Sequence, residues 1–591
     1  MSDRTSLRPR SATIYTLSLL ALALLFLAVN ARWIWIYRHG LVLDIDEAGY
    51  LSYSIIDYFG LHYGGIPGWI AAIEIPSIQA PLTMALTSLL YLVAGPHVIL
   101  GFAVPLAAGA ACIVAAYALG RAVGSHRVAL VAAVLTASCP VIVNYSRSYQ
   151  FSMLATLVTT LALVAILRSR RFRSIGWTLA FGVCLGLMPL TRTMTLAFIP
   201  GLVAAAFVTV VVDPANRLRR ILMLGGALVV AVLVAATWLG PNGLLVAHYL
   251  LNFGYGAHAL EYGRQSSKLG FDAWLSMAQA FNREVYFPHF IVMLLGTLAL
   301  LGVTLRQAAR HGIGPTARRI LHSPVLPVAI FSAEAILVLT TTSNKGSGFF
   351  APVVPALMVL TAWAFGRLGE RRPARTGLSA LIAAVAIVAA LPLLDLRTPF
   401  APEWVAELPI LGAITVTQGR GTIQWDEANA GYGARNAVEP LDNATSHAWV
   451  NLSSWTATTL TQEGGQRAVV AFGFRNALYN VNTVNLQQLL RAGSAFGARM
   501  IDPTSTGESV EGYLGWLRRE GTDACALLTS DRLGGDFAPA INRAFMEEAA
   551  RQADFVPARQ WPAPDGQNIV LWKHRVAPPN CPQYIAPSLL E

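Results

Sequence analysis

The sequence predicts a polytopic α-helical membrane protein of about eleven spans that carries a C-terminal soluble α/β domain. The chain has 591 residues, of which 55% are hydrophobic and only 13% charged, and its mean hydropathy is +0.52. A soluble globular chain is about a quarter charged. Apolar runs close to the ~20 residues that cross a bilayer recur from Ile14 to Leu394. These observations exclude a chain built only of soluble domains.

Charge is unevenly distributed along the chain. Residues 1–396 contain 28 basic and 13 acidic side chains, whereas residues 397–591 contain 15 and 19, within a net charge of +11. Cationic loops beside apolar segments set membrane topology and attract anionic head groups. The basic excess therefore indicates membrane lipids as partners, and no nucleic-acid motif or nucleic-acid partner is predicted.

The apolar runs define the spans, and the loops between them define their orientation. The Arg-rich segments 4–10, 168–173 and 306–319 fall on one side, which the positive-inside rule assigns to the cytoplasm. The first apolar segment lacks a small-residue cleavage site and is predicted to be a retained helix. The predicted spans are 14–36, 98–120, 128–144, 149–167, 175–190, 194–212, 221–240, 288–305, 324–341, 349–366 and 376–394.

The apolar stretch 81–95 is predicted to be a short helix that dips into the outer leaflet, because Pro81 and Pro96 bound it. The alternative is a further span, which would invert everything after it. With eleven spans, the long loops 37–80 and 241–287 are external. Loops of this length are more often functional than incidental.

The tail, residues 397–591, has the composition of a soluble domain and is predicted to lie outside the cytoplasm. Strand-like runs at 468–474, 524–529 and 568–573 alternate with helical patterns, notably at 481–492 and 540–552, which indicates an α/β fold. Cys525 and Cys581 form a disulfide if the tail faces an oxidising compartment, and otherwise stay free. Cys112, Cys139 and Cys184 are interpreted as core residues.

Three carboxylates, Asp44, Asp46 and Glu47, stand where the chain leaves the first span. Burial at the apolar boundary and mutual repulsion raise carboxyl pKa values, so one of them can serve as a general base or hold a divalent cation. The alternative is a solvated loop with an Asp at a helix start.

Several basic side chains fall on the predicted external side, where the positive-inside rule disfavours them. They suggest a phosphate-carrying lipid ligand, since Arg pairs bidentately with phosphate. The alternative is that they only snorkel at the membrane surface. These cations are Arg147, Arg192, Arg264, Lys268, Arg283 and Lys345.

Two histidines and one acidic residue are weaker candidates. His248 and His258 lie in the second external loop and are metal ligands or bases if functional, although a lone loop histidine is more often neither. Glu334 lies inside a predicted span, which admits a transport role.

Several segments together resemble the GT-C glycosyltransferases, and the closest branch is that of protein O-mannosyltransferases and lipid A aminoarabinose transferases. The resemblance covers residues 14–394. It is carried by Asp46-Glu47-Ala48-Gly49-Tyr50, Ala80-Pro81-Leu82, Tyr145-Ser146-Arg147, and Asn344-Lys345 leading into Phe349-Phe350-Ala351-Pro352-Val353-Val354-Pro355.

The resemblance implies an inverting transferase that moves a sugar from a polyprenyl-phosphate donor to a lipid, glycan or protein acceptor. It would work at the outer side of the cytoplasmic (inner) membrane, with residues 1–396 as the catalytic domain. Asp46 would deprotonate the acceptor or be its immediate partner, and Glu47 would assist it or hold a cation. The donor phosphate would be bound by Arg147, Arg264, Lys268 and Lys345.

The sequence departs from the family after Arg147, where residues 148–152 contain no carboxylate although relatives commonly have one. A divalent cation is therefore an optional cofactor, with His248 as a substitute ligand. Two other functions stay open at this point. One is a polysaccharide ligase or polymerase that uses lipid-diphosphate donors, and the other is a transporter centred on Glu334.

Overall fold

The fold was analysed in a computed structural model of the chain. The structure describes residues 9–256, 259, 268–346, 348–368, 372–393, 404–409, 412–417, 443–464, 469–474, 476, 478–493, 497–501, 509–521, 523–530, 543–564, 566–576 and 581.

Helices dominate the N-terminal two thirds of the chain. Short 3-10 turns at Thr193–Phe198 and Ala351–Val353 precede α10 and α15. The helices are α1 (Pro9–Arg38), α2 (Ile45–Ile73), α3 (Leu82–Ala94), α4 (Val98–Gly101), α5 (Ala103–Val123), α6 (His126–Ala137), α7 (Pro140–Ser146), α8 (Ser152–Arg168), α9 (Ile175–Thr191), α10 (Ile199–Val211), α11 (Arg217–Tyr255), α12 (Phe271–His311), α13 (Ile313–Leu321), α14 (Leu326–Thr341), α15 (Val354–Leu368) and α16 (Arg372–Leu393).

Every predicted span coincides with a helix or a pair of helices, so the predicted multi-pass helical class is confirmed. Within the described residues, six helices are long and apolar enough to cross a membrane, and eight if each of two bent pairs is one span. The bent pairs are α6 with α7 (59°) and α13 with α14 (89°). The exact number of spans stays a prediction.

Large apolar side chains on these helices are exposed, as the lipid-facing surface of a membrane protein requires. Leu24 is 64% exposed, Leu233 64% and Leu298 54%. In water such a surface would drive aggregation. The exposure therefore agrees with helices that lie in a bilayer.

Small residues allow two of the helices to pack closely. A β-carbon added to Gly182 of α9 would come too near the backbone of Ala227 in α11, and Gly186 meets Ala231 in the same way one turn later. Packing of membrane helices relies on such small residues, because lipid supplies no hydrophobic force between helices. The pattern fixes α9 against α11.

The two segments predicted as long external loops contain helix where they are described. The segment 37–80 contains α2, and the described part of 241–287 contains the end of α11 and the start of α12. α12 bends at Tyr286, whose φ is 59°, two residues before Pro288. Proline lacks the N–H that would bond to the carbonyl four residues earlier, so the helical hydrogen bond to the Glu284 carbonyl is missing.

Contacts group the chain into two compact units, and this division differs from a boundary at residue 396. The first unit comprises Met1–Ile34, Ile73–Leu86 and Phe102–Thr422, and the second comprises Trp35–Ala72, Thr87–Gly101 and Ile423–Glu591. The α2 segment therefore belongs to the unit that holds most of the tail. The start of the tail belongs to the first unit, since its hairpin β1 (Trp404–Leu408) and β2 (Gly412–Thr417) packs on α12.

The second unit contains the predicted α/β fold. Its described residues form a five-stranded sheet in the order β4-β3-β5-β7-β6, in which β3 is parallel to β4 and β5, and β7 is antiparallel to β5 and β6. The strands are β3 (Val469–Phe472), β4 (Gly497–Met500), β5 (Ala526–Ser530), β6 (Phe555–Pro562) and β7 (Asn568–His574). The helices are α17 (Asn443–Gly464), α18 (Val481–Ala492), α19 (Val510–Glu520) and α20 (Arg543–Gln552).

Strong local signals explain why parts of this unit were predictable. α18 has the predicted bounds, because Asn480 forms a capping box with Thr483 and Gly493 ends the helix in a left-handed conformation. Cys525 and Cys581 form a disulfide, so the paired alternative holds in the structure. The buried core under the sheet includes Trp449, Leu527 and Trp572.

Candidate functional site

The three predicted carboxylates of the second unit play different parts at the start of α2. Asp44 is the helix cap: its Oδ1 accepts hydrogen bonds from the backbone N–H groups of Asp46, at 2.5 Å, and of Glu47, at 3.1 Å. A side-chain oxygen at this position satisfies N–H groups that have no partner within the helix. Asp44 is therefore engaged in holding the turn.

Glu47 is fully buried and forms an ion pair with Arg38, which is 1% exposed. Removing one partner from such a pair would leave an uncompensated buried charge. The side chain of Asp46, between the two engaged carboxylates, is exposed. Of the three, Asp46 is the one that the fold presents to solvent.

The turn that carries these carboxylates is anchored within the second unit. The backbone N–H of Val42 donates to Ser446 Oγ at 2.9 Å, and Asn482 Nδ2 donates to the carbonyl of Ile45 at 2.8 Å. Leu41 and Val42 belong to the apolar core under the sheet. Helices α17 and α18 thus fix the position of the carboxylates.

Arg147 lies in the first unit and is 1% exposed. Its Nε donates to Asn30 Oδ1 at 2.6 Å, and its guanidinium carbon lies 4.6 Å from the ring centroid of Trp33. A guanidinium over an indole ring is stabilised by the ring quadrupole. Two residues of α1 therefore hold the predicted phosphate ligand at the end of α7.

A carboxylate that the sequence did not place near Arg147 lies beside the same segment. Glu284, at the bend of α12, is 4% exposed and accepts hydrogen bonds from the Tyr145 hydroxyl at 3.5 Å and from the backbone N–H of Gly348. A carboxylate of α12 therefore lies next to Tyr145, whereas residues 148–152 contain none.

Arg192 lies beside the same groups. It donates a hydrogen bond to Ser152 Oγ, and its guanidinium carbon lies 4.6 Å from the ring centroid of Phe349. Gly348 has a φ of 75°, and a β-carbon there would lie 2.9 Å from Tyr145 Cζ and 3.0 Å from an Arg192 guanidinium nitrogen. The close approach of these groups requires glycine. We refer to Glu284, Tyr145, Ser152, Arg192 and Gly348 as the Glu284 cluster.

Lys345 lies three residues before Gly348 in the same loop and is half-buried. Its Nζ donates to the carbonyl of Thr342 at 2.6 Å. Burial and the positive charge of Lys268 lower the pKa of the Lys345 ammonium to about 8. A nearby anion would counter both effects on the Lys345 ammonium.

The other predicted residues are more scattered or cannot be placed. Arg264 and His258 lie outside the described residues. His248 is exposed on α11, and in the described part of the chain no three His, Cys, Asp or Glu side chains converge as metal ligands. Glu334 packs against Gly201 of α10. The described donor set therefore does not fit a metal centre, and no chemical step is assigned to one.

Sequence reasoning missed Arg38 and Glu284 and undervalued Arg192. Arg38 ends an apolar segment, where a cation is ordinary. Glu284 is separated from Tyr145 by 139 residues. The proline four residues after Glu284 is the signal that could have drawn attention to this position.

Residues 78–239 match the protein family described as dolichyl-phosphate-mannose-protein mannosyltransferase. The matched segment is about a quarter of the chain and includes Arg147 and Arg192. No curated protein is similar enough in sequence to count as a match.

The fold is similar to that of solved glycosyltransferases. ArnT from Cupriavidus metallidurans, bound to undecaprenyl phosphate, is 16% identical over 95% of this chain and 98% of that chain, with a TM-score of 0.55. Its apo structure is 15% identical over the same shares, with a TM-score of 0.51. The arabinofuranosyltransferase AftD from Mycobacteria is 12% identical over 93% of this chain and 39% of that chain, with a TM-score of 0.51.

These comparisons confirm the predicted resemblance to the GT-C glycosyltransferases and their fold. The fold and the family match together support the predicted enzyme class, a glycosyltransferase embedded in a membrane by multiple helices. The roles of individual residues stay predictions.

Proposed function

We propose that the chain is an inverting glycosyltransferase that moves a sugar from a polyprenyl-phosphate donor to an acceptor hydroxyl at the outer side of the cytoplasmic membrane. The observation that carries the proposal is that the three carboxylates at the start of α2 differ in their contacts and exposure. Asp44 caps the helix and Glu47 neutralises Arg38, whereas Asp46 is exposed. Asp46 is the general base.

In the transfer step, the acceptor oxygen attacks the anomeric carbon of the donor sugar while Asp46 takes the acceptor proton. The bond between the anomeric carbon and the phosphate oxygen breaks, and polyprenyl phosphate leaves with the bonding electron pair. A positioned general base typically accelerates such a step by ~10²- to 10⁴-fold. The configuration at the anomeric carbon is inverted because attack and departure occur on opposite faces.

The donor phosphate is bound by cations of the first unit. Burial and the charge of Lys268 disfavour the charged form of Lys345, and an anionic phosphate bound near Lys345 would favour it. Arg147 and Arg192 offer guanidinium groups, which stabilise the charge that develops on the departing phosphate. The solved ArnT structure with undecaprenyl phosphate and the name of the matched family support a lipid-phosphate donor.

The Cys525–Cys581 disulfide supports an extracytoplasmic position for the second unit, since disulfides persist in oxidising compartments. The acceptor is a lipid, a glycan or a protein. A divalent cation is optional in this proposal, so chelation with EDTA should leave transfer unchanged.

The test is a transfer assay with purified protein in proteoliposomes and a panel of radiolabelled polyprenyl-phosphate sugars and lipid-diphosphate sugars. Transfer from one phosphate-linked donor, with inversion observed by NMR, is the expected result. Transfer only from diphosphate donors would instead indicate a ligase or polymerase. Normal transfer by Asp46→Asn together with loss of function in Glu334→Gln would replace the proposal with a transporter.

A further inference from the structure

A cavity of about 260 Å³ lies between the C-terminal ends of α8 and α10 and the bend between α13 and α14. Its polar wall includes Arg170, Arg171 and His322, and its apolar wall includes Leu167, Val208 and Leu326. We refer to it as the basic-face pocket. It belongs to the face that the positive-inside rule assigns to the cytoplasm.

The turn that supplies the arginines has an unusual backbone. Arg170, Arg171 and Phe172 have φ values of 52°, 61° and 61°, in the left-handed region that non-glycine residues adopt only at a cost in conformational energy. The fully buried Phe172, with its ring centroid 5.7 Å from that of Phe181, holds the turn in place. Ser169 Oγ accepts a hydrogen bond from the Phe172 N–H at 2.9 Å. The chain thus tolerates local strain where two arginines meet the pocket.

The charge around the pocket is strongly positive. Asp213 accepts from Arg173 at 2.8 Å and lies 3.2 Å from Arg171 and 3.6 Å from Arg220. One carboxylate therefore neutralises only part of the charge of three arginines. Arg170 adds a further cation, and the exposed His322 ring lies 3.4 Å from the Arg171 guanidinium.

This pocket is separate from the Glu284 cluster. Ser152 begins α8, whereas the pocket lies beyond Ile166 at the other end of that helix. At 1.5 Å per residue, the 17 residues of α8 separate the two by about 25 Å. A ligand of the pocket therefore does not occupy the proposed donor site.

We propose that the basic-face pocket binds a phosphate group, and that an anionic phospholipid supplies it. The arginines would hold the phosphate oxygens, and the apolar wall would accept the first carbons of the acyl chains. Basic pockets between membrane helices on the cytoplasmic side are suited to such head groups. Guanidinium groups, which can bond bidentately to phosphate oxygens, favour phosphate over a zwitterionic head group, whose own cation would be repelled.

Native mass spectrometry of the delipidated full-length protein tests the proposal, with phosphatidylglycerol, phosphatidylcholine and inorganic phosphate as separate titrants. We expect a saturable phosphatidylglycerol adduct that Arg170→Gln/Arg171→Gln weakens about tenfold, the equivalent of 1.4 kcal/mol. Arg217→Gln/Arg219→Gln is the matched control, because it removes the same charge from exposed positions of the same face. The control should bind within about twofold of the parent chain.

His322→Gln is a second variant that leaves the Asp213 contacts intact and should also weaken binding. A saturable adduct with millimolar inorganic phosphate, but none with phosphatidylglycerol, would support a phosphate site and assign it to a soluble anion. Equal losses in the pocket and control variants, or no loss in either, would overturn the site. Transfer activity is not the readout, so this outcome is independent of the proposed function.

Discussion

Arg38 and Glu47 form a buried ion pair that joins the last residue of α1 to the first turn of α2. The pair lies beside the proposed base, Asp46, and holds the Glu47 carboxylate in a buried position. We expect Glu47 to support the geometry of the turn, and its assistance to Asp46 stays a prediction.

Glu47→Gln should destabilise the protein by roughly 3 kcal/mol, because it leaves the Arg38 charge buried without a counter-ion. Thermal unfolding followed by intrinsic fluorescence measures the effect. Glu548→Gln, which removes an exposed partner of Arg551, should change stability by less than about 1 kcal/mol. Equal stability of the two variants would contradict the structural role of the buried pair.

Asp46→Asn should lower transfer ~10²- to 10⁴-fold while the melting temperature stays the same, since an exposed amide replaces an exposed carboxylate. Initial rates with saturating donor and acceptor measure this effect. Asp44→Asn is the matched control, because Asn also caps helices well. A comparable rate loss in both variants would point to damage of the turn and away from base catalysis.

Arg147→Lys should reduce turnover strongly, since lysine keeps the charge but cannot reproduce both the contact with Asn30 and the stacking on Trp33. Single-turnover rates and donor binding should be measured separately. Arg168→Lys is an exposed control, whose guanidinium carbon lies 5.3 Å from the ring centroid of Trp177. It should leave both the single-turnover rate and donor binding nearly unchanged. Full activity of Arg147→Lys would remove the guanidinium from the transition state.

Donor binding should weaken as the pH rises through about 8, because Lys345 loses its charge there. The sign follows from a lowered pKa: the ammonium is present below this value and is lost above it. Lys268→Gln removes the neighbouring cation, so it should move the midpoint of the pH profile of the donor KM upward. A profile that does not move would show that the two lysines are uncoupled.

Gly348→Ala should abolish most transfer, because a β-carbon would collide with Ser152, Tyr145 and Arg192. Gly346→Ala, in the same loop, is the control: its β-carbon would lie at least 3.1 Å from the nearest atoms. Activity and thermal stability should be measured together. If both variants keep normal rates, the Glu284 cluster is not part of the site.

Local signals made much of the fold predictable. Apolar length placed helices at the spans, and the cap at Asn480 with Gly493 after the last turn defined α18. The short strand β4 was not predicted, because its four residues, Gly497–Met500, present no clear alternation. Helix was not predicted in the segment 45–73, since Gly65 and Pro67 interrupt it.

The site was only partly predictable, because its geometry depends on distant partners. The Asp46 region was found from three carboxylates within four residues, but spacing could not tell which of them the fold would bury. Arg38 settles that question for Glu47, and it gave no local signal. Glu284 reaches Tyr145 from another helix, so no local motif could have revealed it.

The anchoring of the carboxylate turn to Ser446 and Asn482 has a consequence for biogenesis. The turn is made early in translation, whereas its supports are made about 400 residues later. The two hydrogen bonds that hold the turn beside the proposed base can therefore form only after Asn482, about four fifths of the way along the 591 residues, has been synthesised. A chain that ends before Ser446 would therefore present Asp46 on a turn that lacks both of these supports.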